Sequence, residues 1–212
     1  MRTEATTHLL VVRHAQSVWN ASHRWQGWAD PPLSPLGLDQ AAHAARRLAL
    51  CPPFDAVVSS DLRRARQTAE LLDLPAGPPT LHPGLREYDV GAWSGLQLHE
   101  IESGWPGQID RWRRGELAAT PGGEERAAFE KRLQAAVCDL VDTQRGRRVL
   151  VVSHGGVIRS LFRSAGEEHR HIGQLAGCWL EVNGAQTSLT GTVDLIVGPR
   201  GEAGPEQLPS ER

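Results

Sequence analysis

Two apolar runs far apart in the chain each end in a histidine, and no other feature limits the fold as much. Leu9-Leu10-Val11-Val12 leads into Arg13-His14-Ala15-Gln16-Ser17, and Val149-Leu150-Val151-Val152 leads into Ser153-His154-Gly155-Gly156. Short apolar runs rich in β-branched residues read as strands buried on both faces, as in a parallel sheet. In an open α/β sheet, ligands gather outside the carboxyl ends of the strands, where both histidines fall. Arg13 offers a planar fork of donors that stays charged, and His14 a nitrogen that is nucleophilic near neutral pH; both suit a phosphate. A lone Arg-His pair fits a charged turn after an edge strand better than a site. Its echo at His154 reverses that judgement. The glycines after His154 let backbone approach a ligand, and a helix expected over residues 157–164 would present its first N–H groups to an anion.

The rest of the chain alternates strand-like and helix-like stretches, which defines an α/β class. Ser34-Pro35 opens a helix, with Leu38, Ala41, Ala42, Ala45 and Leu48 as its apolar stripe. A strand over 55–59 precedes a helix over 61–72 that turns Leu62, Ala65, Ala69 and Leu72 inward. The first turn of that helix carries Arg63, Arg64 and Arg66, against the helix dipole, a conflict that an anion would relieve. A solvated basic face accounts for Arg63 and Arg66. Further helices are expected over 97–103, 108–116 and 124–143, the last with Phe129, Leu133, Val137, Leu140 and Val141 on its core face. Strands over 178–182 and 188–197 close a single domain spanning 1–197, and a frayed tail is expected over 198–212.

Composition narrows the function classes. The net charge of −2 indicates no general affinity for nucleic acid or anionic membrane. The apolar run after the polar amino terminus stops at Arg13, too short for a signal-peptide core or a membrane span. Three widely spaced cysteines make neither a zinc pattern nor a disulfide framework, which fits a reducing cytoplasm. His169-x-His171 is the only close histidine pair, better explained as loop residues than as metal ligands. No metal or cofactor is expected.

Several ordered motifs together resemble the histidine phosphatase superfamily, which includes the cofactor-dependent phosphoglycerate mutases. The run from Arg13 to Asn20 stands where that family has Arg-His-Gly-Glu-Thr/Ser followed by Trp-Asn, with Ala15 and Gln16 as departures. Gln26 to Leu33, Ser60 to Ala69, Leu85 to Gly95, Pro121 to Glu124 and Ser153 to Gly155 match further family runs, with Ser94 and Glu125 departing. The resemblance spans residues 8 to 197 and implies a three-layer α/β/α sandwich around a mostly parallel sheet. It implies His14 as the nucleophile that becomes a phosphohistidine, Arg13, Arg64 and His154 as phosphate ligands, and Glu87 as the acid that protonates the leaving oxygen. Asn20, Gln26, Gly27 and Gly155 fall on binding motifs. Two guanidiniums and a histidine can supply positioning and charge without a metal, and they disfavour protonation of His14.

The family's mutases commonly carry Asn-Ser after the second His-Gly, where this chain has Gly156-Val157. They commonly carry a lysine where Leu98 stands, and a long insertion before the Pro-x-x-Glu motif that this chain lacks. The expected activity is therefore a phosphatase acting on a small phosphorylated metabolite, such as a phosphoglycerate or sugar-phosphate derivative. Arg113 and Arg114 are candidates to hold a substrate carboxylate. The alternatives are a mutase and a non-catalytic scaffold that binds phosphorylated ligands. An edge strand or the Trp-rich segments offer a homodimer interface.

Overall fold

The computed structural model describes residues 5–167, 171–183 and 186–196. A six-stranded mixed sheet runs through it: β1 (Thr7–Arg13), β2 (Ala56–Ser59), β3 (Thr80–Leu81), β4 (Arg148–Ser153), β5 (Ala176–Asn183) and β6 (Gln186–Asp194), in the order β3-β2-β4-β1-β5-β6. β3, β2, β4 and β1 are parallel, whereas β5 and β6 join antiparallel. The apolar runs of β1 and β4 are buried on both faces because successive side chains alternate between two cores. Leu9, Val11, Val149 and Val151 enter one core; Leu10, Val12, Leu150 and Val152 enter the other.

Helices cover both faces, as the three-layer expectation required. α2 (Pro35–Leu48) and α3 (Arg63–Leu71) pack against the Leu10/Leu150 face through Ala41, Ala44, Leu48, Ala65 and Ala69. α6 (Arg126–Thr143) and α7 (Gly155–Ser164) cover the Leu9/Val149 face through Phe129, Leu133, Val157, Ile158 and Phe162. Short helices α1 (Val18–Ala21), α4 (Leu98–Gly104) and α5 (Gln108–Arg113) lie in the connections. The helix that follows β1 and the helix that follows β4 thus go to opposite faces. That divergence opens a crevice at the carboxyl ends of two adjacent parallel strands, the place where such sheets bind ligands.

Several boundaries and one helix face differ from the sequence reading. α2 buries Gly37, Ala41, Ala44 and Leu48, while Leu38 is 45% exposed and Ala42 also faces solvent. The cause lies at its start: a Cβ on Gly37 would sit 2.0 Å from the Gln16 carbonyl oxygen, so the helix is rotated to set this glycine against that loop. α6 begins at Arg126 rather than 124 because Glu125 is its N-cap in extended conformation (ψ 141°), while the Glu124 N–H is held by the Asp89 carbonyl at 3.0 Å. α5 ends at Arg113, where the chain turns back and the Glu116 N–H reaches the Arg111 carbonyl at 2.9 Å. α7 starts two residues earlier than expected, so both glycines belong to its first turn. The two-residue β3 and the four-residue α1 carry too little periodicity to be read from sequence. The expected tail over 198–212, Val197 and His169 lie outside the described residues. No helix among the described residues is long and apolar enough to cross a membrane.

Leu150, fully buried on β4 beneath α2 and α3, tests this layering. Leu150→Ala is expected to cost about 2–5 kcal/mol in urea unfolding, the range for a core leucine that leaves a cavity. A loss within about 0.5 kcal/mol, typical of surface sites, would contradict its burial between strand and helices.

Candidate active site

Parallel pairing places Arg13 opposite Ser153, and the His14 N–H continues the ladder to the Ser153 carbonyl at 2.9 Å. His14 and His154, the first residues beyond the two strands, are both buried, with ring centroids 5.2 Å apart. Arg64 enters from the first turn of α3. Glu87 enters from the loop after a 3-10 turn, Pro83–Leu85.

Both ring nitrogens of His14 are engaged. Nδ1 lies 2.6 Å from the Ala15 carbonyl oxygen, which can only accept, so Nδ1 carries the proton. Nε2 then holds the lone pair, accepting from Arg64 Nε at 3.2 Å. Burial above all, and then the charges of Arg64 and Arg13, hold the His14 pKa well below the usual 6.5. The ring is neutral at neutral pH, the form that can attack an electrophile. Burial and the same arginines also hold His154 well below its usual value. Its Nε2 is 2.8 Å from Ser60 Oγ, an oxygen that already accepts from the Leu62 N–H. The Ser60 hydroxyl proton can therefore go to Nε2. That leaves His154 Nδ1 as an N–H donor, buried and with no partner among the described residues.

Arg64 is 1% exposed and satisfied by backbone: Nη1 donates to the Ala29 carbonyl at 2.8 Å and Nη2 to the Gly27 carbonyl at 2.9 Å. Burial lowers its pKa to about 10, opposed by the carboxylates of Glu87 and Asp30, so it stays charged. Asp30 also accepts from the Arg63 N–H, bringing negative charge to the start of α3, where the sequence showed only arginines. Arg63 and Arg66 are exposed, as a solvated basic face requires.

Glu87 is fixed at both oxygens. Oε1 accepts from the Tyr88 N–H at 2.9 Å and Oε2 from the Gly156 N–H at 3.0 Å, in the first turn of α7. The approach is so close that a Cβ on residue 156 would lie 2.0 Å from Glu87 Oε1. The loop itself hangs on Arg132, which pairs with Glu124 at 2.8 Å and donates to the carbonyls of Gly84, Arg86 and Glu87. The Trp28 indole N–H also donates to the Glu87 carbonyl, at 2.8 Å, and Ser153 Oγ ties Leu85 to the end of β4.

Most of these groups border a cavity of about 210 Å³, which opens to solvent, while His154 is fully buried behind the His14 ring and is not part of its lining. Arg13, His14, Arg64, Glu87, Asn20, Gln26 and Gly27 line it, so seven of the residues expected from sequence converge. Asn20 Oδ1 is occupied by the Ser17 N–H at 3.1 Å, which leaves its NH2 for a ligand. Gly155 lies behind the lining, between Arg13 and Arg159. Arg113 and Arg114 are not brought in: they pair with Asp110 and Glu116, with side chains 52% and 58% exposed. Ala15 packs into the core beneath the sheet, Glu125 is exposed, and Ser94 Oγ donates to the Gln26 carbonyl. None of the departures intrudes on the cavity lining.

Sequence reasoning missed Arg159, Arg24, Trp25, Tyr88 and Trp112, which complete the wall. Arg159 was within reach of inference, since it lies one helical turn beyond Gly155 on the helix that begins at the site. Arg132 left little local signal, because its partners besides Glu124 are backbone carbonyls more than forty residues away.

Residues 9–190 match the histidine phosphatase superfamily (branch 1), and the chain belongs to that family. It is 39% identical over 161 residues to a glucosyl-3-phosphoglycerate phosphatase of Mycolicibacterium vanbaalenii, covering 72% of this chain and 71% of the relative. It is 37% identical over 161 residues to a 2,3-bisphosphoglycerate-dependent phosphoglycerate mutase of Methylocella silvestris, covering 72% and 78%. Among solved structures, YhfR of Bacillus stearothermophilus superimposes with a TM-score of 0.82 at 29% identity, covering 90% of this chain and 99% of YhfR. Relatives thus divide between phosphatases and mutases.

The buried histidines make stability depend on pH. Each titrates near 6.5 when unfolded and lower in the fold, so below about 6.5 the unfolded chain binds more protons and stability falls with falling pH. Each histidine sets a slope of at most about 1.4 kcal/mol per pH unit. Urea unfolding should show a lower stability at about pH 5.5 than at about pH 7.5, and His154→Asn should flatten the difference. A protein equally stable at both would refute the assignment.

Proposed function

We propose that this chain is a metal-independent phosphomonoesterase acting through a phosphohistidine on a small phosphorylated metabolite, such as a phosphoglycerate or sugar-phosphate derivative. Arg13 and Arg64, with His154 Nδ1 and the Asn20 amide, hold the phosphoryl oxygens. His14 Nε2 attacks phosphorus as the ester P–O bond breaks, and Glu87 gives its proton to the leaving oxygen. Water then attacks the phosphohistidine, Glu87 takes a proton from it, and inorganic phosphate leaves. The charge that spreads over the transferring group meets two guanidiniums, that of Arg64 almost wholly buried and fixed by backbone carbonyls, so that the donors need not reorganise.

The observation that carries the phosphatase reading is the contact between Glu87 and Gly156. In the family's mutases an asparagine commonly stands at this position, and a side chain here would collide with the carboxylate as it is docked. The acid thus takes the space beside residue 156 in this chain, and a mutase-like side chain there would require the carboxylate to shift. The short passage from α5 to Pro121, with no long insertion over the cavity, also leaves room for water. The similarity to a glucosyl-3-phosphoglycerate phosphatase supports a phosphorylated sugar acid as substrate. The mutase reading draws on the similarity to the Methylocella enzyme. Assaying phosphate release against phosphoryl exchange between mono- and bisphosphorylated glycerate separates the two; exchange outrunning release would overturn the phosphatase.

Rapid quenching should trap a phosphoenzyme that survives base but not acid and that is absent from His14→Ala, a variant expected to fold and to lose turnover. Normal turnover in that variant would end the mechanism. Glu87→Gln should slow alkyl phosphates more than aryl phosphates, whose leaving oxygen scarcely needs a proton, by a margin of ~10²–10⁴. Asp89, whose carboxylate accepts from the Gly91 N–H and does not line the cavity, is the control. A selective loss in Asp89→Asn instead would reassign the proton donor.

A further inference from the structure

The cavity holds more positive charge than one phosphate needs. Arg13 and Arg64 flank His14, and Arg24, on the far wall, is already matched by Glu100 at 3.2 Å. Arg159 is different. It lines the same cavity, is partly buried, and makes no hydrogen bond or ion pair with any of the described residues. It also stands among cations. A side-chain carbon built on Gly155 would lie 3.1 Å from Arg159 Nη1 and 3.7 Å from Arg13 Nε, so both guanidiniums border one point. Burial above all, then Arg126 and to a lesser degree Arg159, push down the pKa of Arg163, whose carboxylate partner is Glu130. The lining also includes the aromatic series Trp25, Trp112 and Tyr88, with successive ring centroids 5.5 and 5.6 Å apart.

We infer that Arg159 is the anchor for a second anionic group, a carboxylate on the leaving part of the substrate, so that the preferred ligands are phosphorylated hydroxy acids. Three features of the geometry support a second anion rather than a further phosphate ligand. Arg159 is one turn further along α7 than the His154–Gly155 corner and lines the same cavity as the aromatic residues. A carboxylate matches its planar fork with two parallel hydrogen bonds. A ligand bearing both anions would also set one against each of Arg13 and Arg159, where a phosphorylated alcohol offers its phosphate alone. The role that the sequence offered to Arg113 and Arg114 passes to Arg159, because the former pair sit outside the cavity with carboxylates of their own.

The inference rests on the reading of this cavity as a phosphate site, but not on turnover, so it is tested with ligands that cannot be hydrolysed. Phosphonopropionate and propylphosphonate share a phosphonate and a chain length and differ in a carboxylate against a methyl group. Calorimetric titration of the wild-type protein should show phosphonopropionate binding tighter by roughly 10- to 100-fold, the range for hydrogen bonds to a charged group. Arg159→Gln should bring the ratio of the two affinities close to one, and Arg159→Lys, which keeps a point charge, should retain part of it. Equal affinities in the wild-type protein, or a ratio that survives Arg159→Gln, would overturn the inference. So would a loss of affinity for both ligands alike, which would make Arg159 a phosphate ligand. If Arg159→Gln fails to fold, the wild-type ratio and its partial retention in Arg159→Lys still decide. A preserved ratio without phosphate release from any ester would leave Arg159 as an anion anchor and remove the phosphatase instead.

Discussion

The parallel pairing of β1 with β4 is the constraint on which everything else depends. Six residues of each strand are in register, from His8 opposite Arg148 to Arg13 opposite Ser153. Because the two strands end together, the residues that follow them are neighbours although 140 positions separate them in the chain. The helices that follow the two strands cover opposite faces of the sheet, which leaves a crevice at the strands' carboxyl ends. A slip of one residue would exchange the two core faces and part the histidines, so the hydrophobic pattern that folds the sheet also assembles the site.

Charge is concentrated at this point at a cost to the fold. A nearly inaccessible guanidinium and two fully enclosed imidazoles are expensive to desolvate, and the protein meets the expense in different ways. Arg64 keeps its charge and is satisfied by loop carbonyls of Gly27 and Ala29, with Glu87 and Asp30 near enough to favour it. The histidines give up their charge instead. Each solution serves the site: a fixed cation to face an anion, and neutral rings with assigned tautomers. The Arg132–Glu124 pair works at one remove, holding the backbone on which Glu87 stands.

How much of this was legible in the sequence follows from the range of each signal. His14, His154 and Arg64 could be read because each sits beside a strong local pattern, a β-branched run or an amphipathic helix start. The inward face of α3 was likewise correct, since Leu62, Ala65, Ala69 and Leu72 repeat with helical spacing and all are buried. The face of α2 was misplaced because two overlapping stripes of alanine and leucine exist, and a contact from Gly37 to the backbone of Gln16 chose between them. Arg113 and Arg114 looked like ligands beside a recognisable motif, but the helix carrying them stops short and turns them to solvent, where nearby acids meet them. Arg132 was overlooked for the opposite reason: the carbonyls it holds belong to a loop more than forty residues away.

The docking of Glu87 on Gly156 also bears on how such sites diverge. The carboxylate fills the volume that any side chain at position 156 would need, so the two positions form an epistatic pair. A side chain at residue 156 would make the end of Glu87 shift, and a shifted Glu87 would leave the N–H at the head of α7 without this acceptor. The position of the acid is therefore written partly in a residue that has no side chain of its own.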